Sequence, residues 1–228
     1  MKISVFLPCR AGSERVPDKN MKPFAGMEGG LVKLKLSQLS RVHQIHKIYL
    51  STNDSQVIEM AQSMGIANLV VHRREESLAT SQTSTDLLVG HANSLIEEEH
   101  ILWTHVTSPF FDEFSLSRAI DMYFEARCSG YDSLMTVKKI HGFLWADGKP
   151  FNYDRSIEKW PRTQTIKPVY EVDSAAFIAP KSTYDELGDR IGRRPYLLES
   201  TELESFDIDW PSQFALAERL YADKIGAK

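Results

Sequence analysis

Apolar positions change their spacing along the chain in a regular way, and each change marks an element. Ile3-Ser-Val-Phe-Leu7 is a nearly unbroken apolar run and predicts a strand buried on both faces. From Leu31 to Val42 the leucines at 31, 34, 36 and 39 approach helical spacing, and Lys47-Ile-Tyr-Leu50 returns to a strand. Asn53 or Asp54 is placed to cap a helix through Met64, with Gly65 as its left-handed terminator. Leu69-Val-Val71 predicts a short strand. Leu88, His91, Ala92, Leu95 and Ile96 share a helix face that ends at Glu97-Glu-Glu99. Ile101 to Val106 predicts the next strand, and Asp112 caps a helix with Leu116, Ile120, Tyr123 and Phe124 on one side. Such alternation predicts an α/β, Rossmann-like, mostly parallel sheet with helices on both faces.

The rhythm breaks after Val137. Lys138 to Pro168 is rich in aromatics, Gly and Pro (Phe143, Trp145, Phe151, Tyr153 and Trp160 among them) and has no helical period. A stretch this long without structure of its own must pack against something, and its aromatics point to a partner subunit or a lid. Val172 to Ile178 then predicts a strand and Leu203 to Asp209 another. Pro211 suits the first turn of a helix carrying Phe214, Ala217, Leu220 and Tyr221. No internal repeat is visible.

Composition narrows the class. A chain of 228 residues buries one sizeable core, so residues 1–228 are expected to form a single domain. A net charge of −4 argues against nucleic acid as a partner, because no basic excess is available for a phosphate backbone. Two cysteines, Cys9 and Cys128, are too few for a disulfide scaffold, and Cys9 reads as a buried structural thiol. Neither a signal peptide nor a membrane-length apolar run is present, so a cytoplasmic location with no membrane partner is expected.

The cations near the N-terminus therefore read as a local site for a small anion. After the first strand comes a loop with Gly12, Ser13 and Pro17 and the cations Arg10, Arg15 and Lys19. Small residues let backbone N–H groups approach an anion, and clustered cations neutralise several phosphate oxygens at once. A triphosphate suits such a loop; a solvated basic loop is the plainer alternative. Asp207 and Asp209 flank Ile208, a spacing that puts both carboxylates on one strand face. Either they share a Mg²⁺ that also meets phosphate oxygens, or one faces solvent and the other caps the helix from Pro211.

Arg10-Ala-Gly-Ser13 followed by Pro17-x-Lys19-Asn20 resembles the N-terminal signature of the CMP-N-acylneuraminate (CMP-sialic acid) synthetases, a family of sugar-activating cytidylyltransferases. The likeness continues through Ser51-Thr-Asn-Asp54, Arg73, Ala79 to Asp86, Thr107-Ser-Pro109 and Phe206-Asp-Ile-Asp209. It implies transfer of CMP from CTP to an acidic sugar, with release of pyrophosphate. It also implies Mg²⁺ on Asp207 and Asp209, and a homodimer in which residues 138–170 project as the dimerisation arm. The nucleotide would meet Leu7, Pro8, Cys9, Arg10, Gly12, Ser13, Arg15, Lys19, Asn20, Arg73, Thr83 and Ser84. The acceptor would meet His105, Thr107, Ser108, Arg162, Glu171 and Asp173. Arg10, Lys19 and Asp209 would carry the chemistry. For Arg73 and His105 plainer readings stand beside these, a solvated charge run and a buried strand histidine.

The chain also departs from the family pattern. Glu14 replaces a Lys, His105 a Gln, Phe111 an Arg and Glu171 another Arg, which leaves Arg162 to face an acceptor carboxylate. These changes bear on which acid is used, so another ulosonic acid or a phosphorylated metabolite is an alternative acceptor. A non-catalytic nucleotide-binding protein is a second alternative. A dinucleotide-dependent oxidoreductase is disfavoured, because the first strand is not followed by Gly-x-Gly-x-x-Gly.

Overall fold

The computed structural model describes residues 2–226. Strand β1 (Ile3–Pro8) alternates its side chains between two cores: Ile3, Val5 and Leu7 enter one, and Phe6 the other. A strand apolar on both faces belongs mid-sheet. Accordingly β1 lies between β2 (Ile45–Thr52) and β4 (His100–Thr104), parallel to both, with β3 (Leu69–Arg73) outside β2. On the other side β8 (Val169–Pro180) pairs antiparallel with β4 and with β5 (Ser133–Ile140), and β9 (Pro195–Glu199) completes the edge parallel to β5. The order is β3-β2-β1-β4-β8-β5-β9, with β8 alone reversed.

Helices α1 (Gly30–Ser40), α2 (Ser55–Ser63), α4 (Glu113–Cys128) and α6 (Pro211–Gly226) build the larger core. Helices α3 (Thr85–Leu95) and α5 (Lys181–Leu187) cover the opposite face. The expected caps are present. One oxygen of Asp54 accepts from the N–H groups of Gln56 and Val57, Asp112 does the same for Phe114 and Ser115, and Gly65 is left-handed at φ 62°.

Besides a small hairpin between residues 145 and 150, β5, α5 and β9 escaped the pattern. One expectation fails. Leu203 to Asp209 is not a strand. Thr201 to Ser205 forms a turn in which the Glu204 carboxylate accepts the Thr201 N–H (2.8 Å) and pairs with Arg118. Phe206 to Asp209 then runs outside the sheet, with the Ile208 N–H bonded to Thr107 O (3.0 Å) in the turn that follows β4. The position beside β5 is already filled by β9.

The stretch expected to be an arm starts inside β5 and ends in β8. Between them lie a small hairpin, β6 (Trp145–Ala146) with β7 (Lys149–Pro150), and a short 3₁₀ turn at Thr163–Thr165. Phe143 packs edge-on against Tyr153 and Trp160, yet Phe151, Ile157 and Trp160 stay 64%, 85% and 61% exposed.

Candidate active site

The carboxyl ends of the parallel strands face one side of the sheet, where open α/β sheets bind ligands. There the loop after β1 is held by four bonds. The Cys9 N–H reaches Ser51 O, the Ala11 N–H reaches Asn53 Oδ1, Asn20 Nδ2 reaches Arg10 O, and the Val32 N–H reaches Asn20 O. Gly30 makes the return possible, since a Cβ there would sit 2.3 Å from Lys22 O. Val16 pins the loop's middle in the core, and Glu14 is exposed.

The three loop cations end up in different places. Arg10 bonds Gly12 O (2.8 Å) and has no carboxylate partner among the described residues. Arg15 pairs with Asp209 (3.1 Å) and lies over the Trp210 ring. Lys19 donates to Ile208 O (2.7 Å), 3.7 Å from Asp209, and burial pulls its pKa down against the raising effect of Asp209 and Asp207. Loop and carboxylate segment are thus latched together.

Two hollows adjoin this latch, and a third opens from the first of them. A pocket of about 180 Å³ is lined by Cys9, Ser13, Lys19, Asn20 and Thr107. A recess of about 260 Å³ lies beside it, walled by Arg74, Leu78, Thr83, Trp103 and Arg190; the two share Pro8, Arg10 and His105. A cleft of about 460 Å³ opens beyond Asp209, lined by Lys138, Glu171, Asp173, Asp207 and Gln213. Gly12 borders a small pocket of its own with Asn20. The Cys9 thiol is pushed up to about 12 by burial, so it is a wall and no nucleophile.

Several expected site residues are not where the sequence suggested. Arg73 ends β3 exposed; Arg74, one residue on, is 3% exposed and enters the recess with its Nε unbonded. Successive strand residues alternate faces, so a one-residue misreading exchanges surface for site. Ser84 caps α3 by accepting the Leu87 N–H, and Thr85 lines the recess instead. The Leu7 side chain is fully buried in the larger core.

On the acceptor side, Ser108 is buried, and its carbonyl accepts from Lys35 Nζ (2.9 Å). Lys35 also reaches Phe111 O (2.8 Å), and Gln38 Nε2 reaches Pro109 O (2.8 Å), so α1 clamps the turn from Ser108 to Phe111. Phe111 itself is wholly buried. His105 Nε2 accepts from Trp103 Nε1 (2.9 Å), which leaves Nδ1 to donate to Ser174 O (2.9 Å). Burial holds its pKa down to about 4, so the ring is neutral with both nitrogens engaged and braces two strands rather than meeting a sugar hydroxyl. Arg162 is exposed on the arm and lines none of these hollows; Lys138, across the β5–β8 register from Glu171, is the cation in the cleft. Its signal was present, since Lys138 and Lys139 interrupt the apolar run from Leu134 to Val137. Arg190 had no such signal, lying in a stretch of mixed charge.

Asp207 and Asp209 both face the cleft while Ile208 between them is buried in the core, so the predicted alternation holds without a strand. Asp207 Oδ1 is buried without a hydrogen-bond partner, and its pKa is raised first by burial and then by Asp209, against Thr107 and Lys19. Asp173 accepts from Thr136 Oγ1 and the Ala175 N–H, and its Oδ2 is buried and unpartnered. Among the described residues no group of three or more metal-type side chains converges. Any ion here would rest on a carboxylate pair with other oxygens from ligand or water.

Sequence and structural relatives identify the family and the fold. A family model described as cytidylyltransferase matches residues 4–226. An N-acylneuraminate cytidylyltransferase of Streptococcus agalactiae serotype III (strain NEM316) is 27% identical over 94% of this chain and 52% of its own length, so the chain spans about half of that relative. A CMP-N,N'-diacetyllegionaminic acid synthase of Legionella pneumophila is 28% identical, covering 96% of both chains. Among solved structures, a CMP:2-keto-3-deoxy-manno-octonic acid synthetase complexed with CTP superposes with a TM-score of 0.69 at 14% identity, over 98% of this chain and 100% of that one. The chain belongs to the cytidylyltransferase family.

Proposed function

We propose that this chain transfers CMP from CTP to an acidic sugar of the nonulosonic type and releases pyrophosphate. The observation that carries the reading is the latch. Arg15 and Lys19 of the anion-binding loop contact Asp209, joining the pocket that opens beside a recess fit for a nucleotide to a cleft fit for a sugar. The relatives supply the acceptor class, since their names join CMP to acylneuraminic and legionaminic acids.

In this reading Arg10, Ser13 and the loop N–H groups hold the β- and γ-phosphates and stabilise the charge that grows on leaving pyrophosphate. The acceptor hydroxyl oxygen bonds to the α-phosphorus as the bond to the bridging oxygen breaks, and the hydroxyl proton passes to a carboxylate. Asp207, which lines the cleft and keeps one carboxylate oxygen unpartnered, is placed for that. Mg²⁺ fits the donor set: a buried, unpartnered carboxylate oxygen beside a second carboxylate is costly until a hard cation approaches. When bound it would polarise the phosphate.

The exposed Phe151, Ile157 and Trp160 on the arm support a homodimer, because large apolar side chains at this exposure are what a subunit interface covers. A cytoplasmic location belongs to the same reading, supported by two free thiols. Pyrophosphate release from CTP with a panel of nonulosonic acids, with and without EDTA, tests the activity. CTP-dependent release that EDTA stops is expected; no release with any acid would overturn it.

A further inference from the structure

We infer that Lys35 is a positioning residue for the reaction: from α1 it sets, through the turn after β4, where the carboxylates of Asp207 and Asp209 stand; this rests on the function proposed above. Lys35 lies inside α1 among buried leucines and has no exposed surface. A methionine would fill much the same space without an amine to desolvate, and burial works against the charge. A polar group kept at such a cost inside an apolar core is expected where function requires it. Lys35 lines neither the pocket, the recess nor the cleft, so it acts through what it holds.

What it holds is the turn from Thr107 to Phe111, which belongs to no helix or strand. The turn closes on itself with a long bond from the Phe111 N–H to Ser108 O (3.3 Å). From behind, Lys35 Nζ donates to Ser108 O and Phe111 O, and Gln38 Nε2 to Pro109 O. The front of the turn carries the carboxylate segment at two points. Thr107 O accepts the N–H of the amide that joins Asp207 to Ile208, and the buried Phe110 ring stands edge-on to Phe206 at 5.9 Å. Both chain neighbours of Asp207 therefore dock on the turn that α1 clamps.

The next peptide is fixed from the other side. Lys19 donates to Ile208 O, and Gln213 Oε1 accepts the Asp209 N–H (2.8 Å). No strand ladder supports this segment, so the turn is its scaffold on the Asp207 side. Without the Lys35 amine, Ser108 O and Phe111 O lose a donor inside the core, and the turn relaxes until they find another. Thr107 and Phe110 move with it, and Asp207 with them. A displacement of about 1 Å at a reacting group costs about 10²-fold in rate. Loss of a substrate contact would raise a KM; loss of positioning lowers kcat and loosens the grip of the carboxylates on a divalent cation.

The experiment compares the parent with Lys35→Met, Gln38→Leu and Ile45→Ala. It measures kcat, the KM values for CTP and acceptor, Mn²⁺ affinity by calorimetry, and melting temperature. Lys35→Met should lower kcat by about tenfold or more and weaken Mn²⁺ binding, with both KM values near parental. Gln38→Leu removes one of the three clamping bonds together with a buried, unpartnered oxygen, so it should keep its melting temperature and show a smaller loss in the same two quantities. It decides the matter if Lys35→Met does not fold. Ile45→Ala empties a core position at the start of β2, the end of that strand away from the site, and should lower the melting temperature alone. Unchanged kcat and Mn²⁺ affinity in the two clamp variants would reduce Lys35 to a packing residue and overturn the inference. An equal loss of kcat in Ile45→Ala would trace the effect to general stability and overturn it as well. A parent that releases no pyrophosphate would overturn the proposed function, while the Mn²⁺ measurement would still report whether the carboxylates depend on Lys35.

Discussion

The recess and the cleft lie on the same edge of one sheet and carry opposite charge. Arg10, Arg74 and Arg190 line the recess with no carboxylate among its walls. The cleft sets Glu171, Asp173, Glu202, Asp207 and Asp209 against Lys138 alone. A chain of net charge −4 has therefore separated its charges rather than mixed them. A polyanion is drawn to the first hollow and repelled by the second, which orients the donor before any base contact forms. The latch of Arg15 and Lys19 on Asp209 lies between the cleft and the pocket that adjoins the recess, on the path a transferred phosphoryl group would have to take.

If the acidity of the cleft serves chemistry, the carboxylate that keeps an unpartnered oxygen next to Asp209 matters most. Asp207→Asn keeps the shape and removes the charge. Turnover should fall by about 10²-fold or more, the scale seen when one preorganised group at a developing charge is lost. CTP binding in the recess should change little. The melting temperature should hold or rise, because burial already disfavours the ionised Asp207 carboxyl. Pyrophosphate release, calorimetry and a thermal melt check the three arms, and unchanged turnover would break the contrast between the hollows.

A smaller effect is expected from the one cation in the cleft. Lys138→Ala should raise the acceptor KM by about tenfold, the size of one lost charge-assisted bond, and leave the CTP KM alone. Arg162→Ala in the same assay sharpens the result. Arg162 lies outside its own chain's cleft, so an effect there requires the arm to reach a neighbouring subunit's site. Equal kinetics for the Lys138 variant would mean the acceptor carboxylate is met elsewhere.

The turn that follows Thr107 is held from behind by a buried lysine, and pH should reveal it. Burial drops the Lys35 pKa from 10.5 to about 7, although Asp112 and Glu113 act to raise it. A neutral amine still has two N–H groups, enough for its two carbonyl partners, Ser108 O and Phe111 O. Between pH 7 and 10 the unfolded chain then binds the extra proton, so stability rises with pH, by up to about 1.4 kcal/mol per unit. Lys35→Met should flatten that rise in denaturant titrations between pH 7 and 9. A parent already flat over this range would show that Lys35 stays charged in the fold.

The two halves also differ in how far they could be read without coordinates. In the nucleotide half, short-range signals coincide with structure: Asp54 and Asp112 cap helices, Gly65 ends one, and the apolar run of β1 lies mid-sheet. The misplacements there are local: Arg73 is exposed where Arg74 is buried, Ser84 caps α3, and the Leu7 side chain turns into the core, and nothing nearby in the sequence states which face such a residue takes. The second half depends on long-range pairing. Whether Pro195 to Glu199 or Leu203 to Asp209 joins β5 is decided by register with a strand about sixty residues earlier, and both segments are short and mixed in polarity. His105 illustrates the same limit, since Trp103 and Ser174 take both its nitrogens and only the fold brings Ser174 near.

The smallest expected effect lies at that last contact. Ser174 has a φ of 61°, a left-handed conformation that costs a residue with a Cβ about 1–2 kcal/mol. It holds this shape at the edge of the cleft, where its carbonyl accepts the His105 proton. Ser174→Gly removes the strain but adds about 0.5–1 kcal/mol of unfolded-chain entropy, so the net gain should be about 0.5 kcal/mol. For a chain of this size that is a rise of about 1–2 °C in melting temperature. The carbonyl remains, so the His105 bond and the walls of both hollows should persist, with KM values for CTP and acceptor unchanged. A lower melting temperature would mean that the Ser174 hydroxyl contributes more than its backbone costs. A selective rise in acceptor KM would instead move that hydroxyl into the acceptor's binding surface and give the cleft a neutral contact among its charged ones.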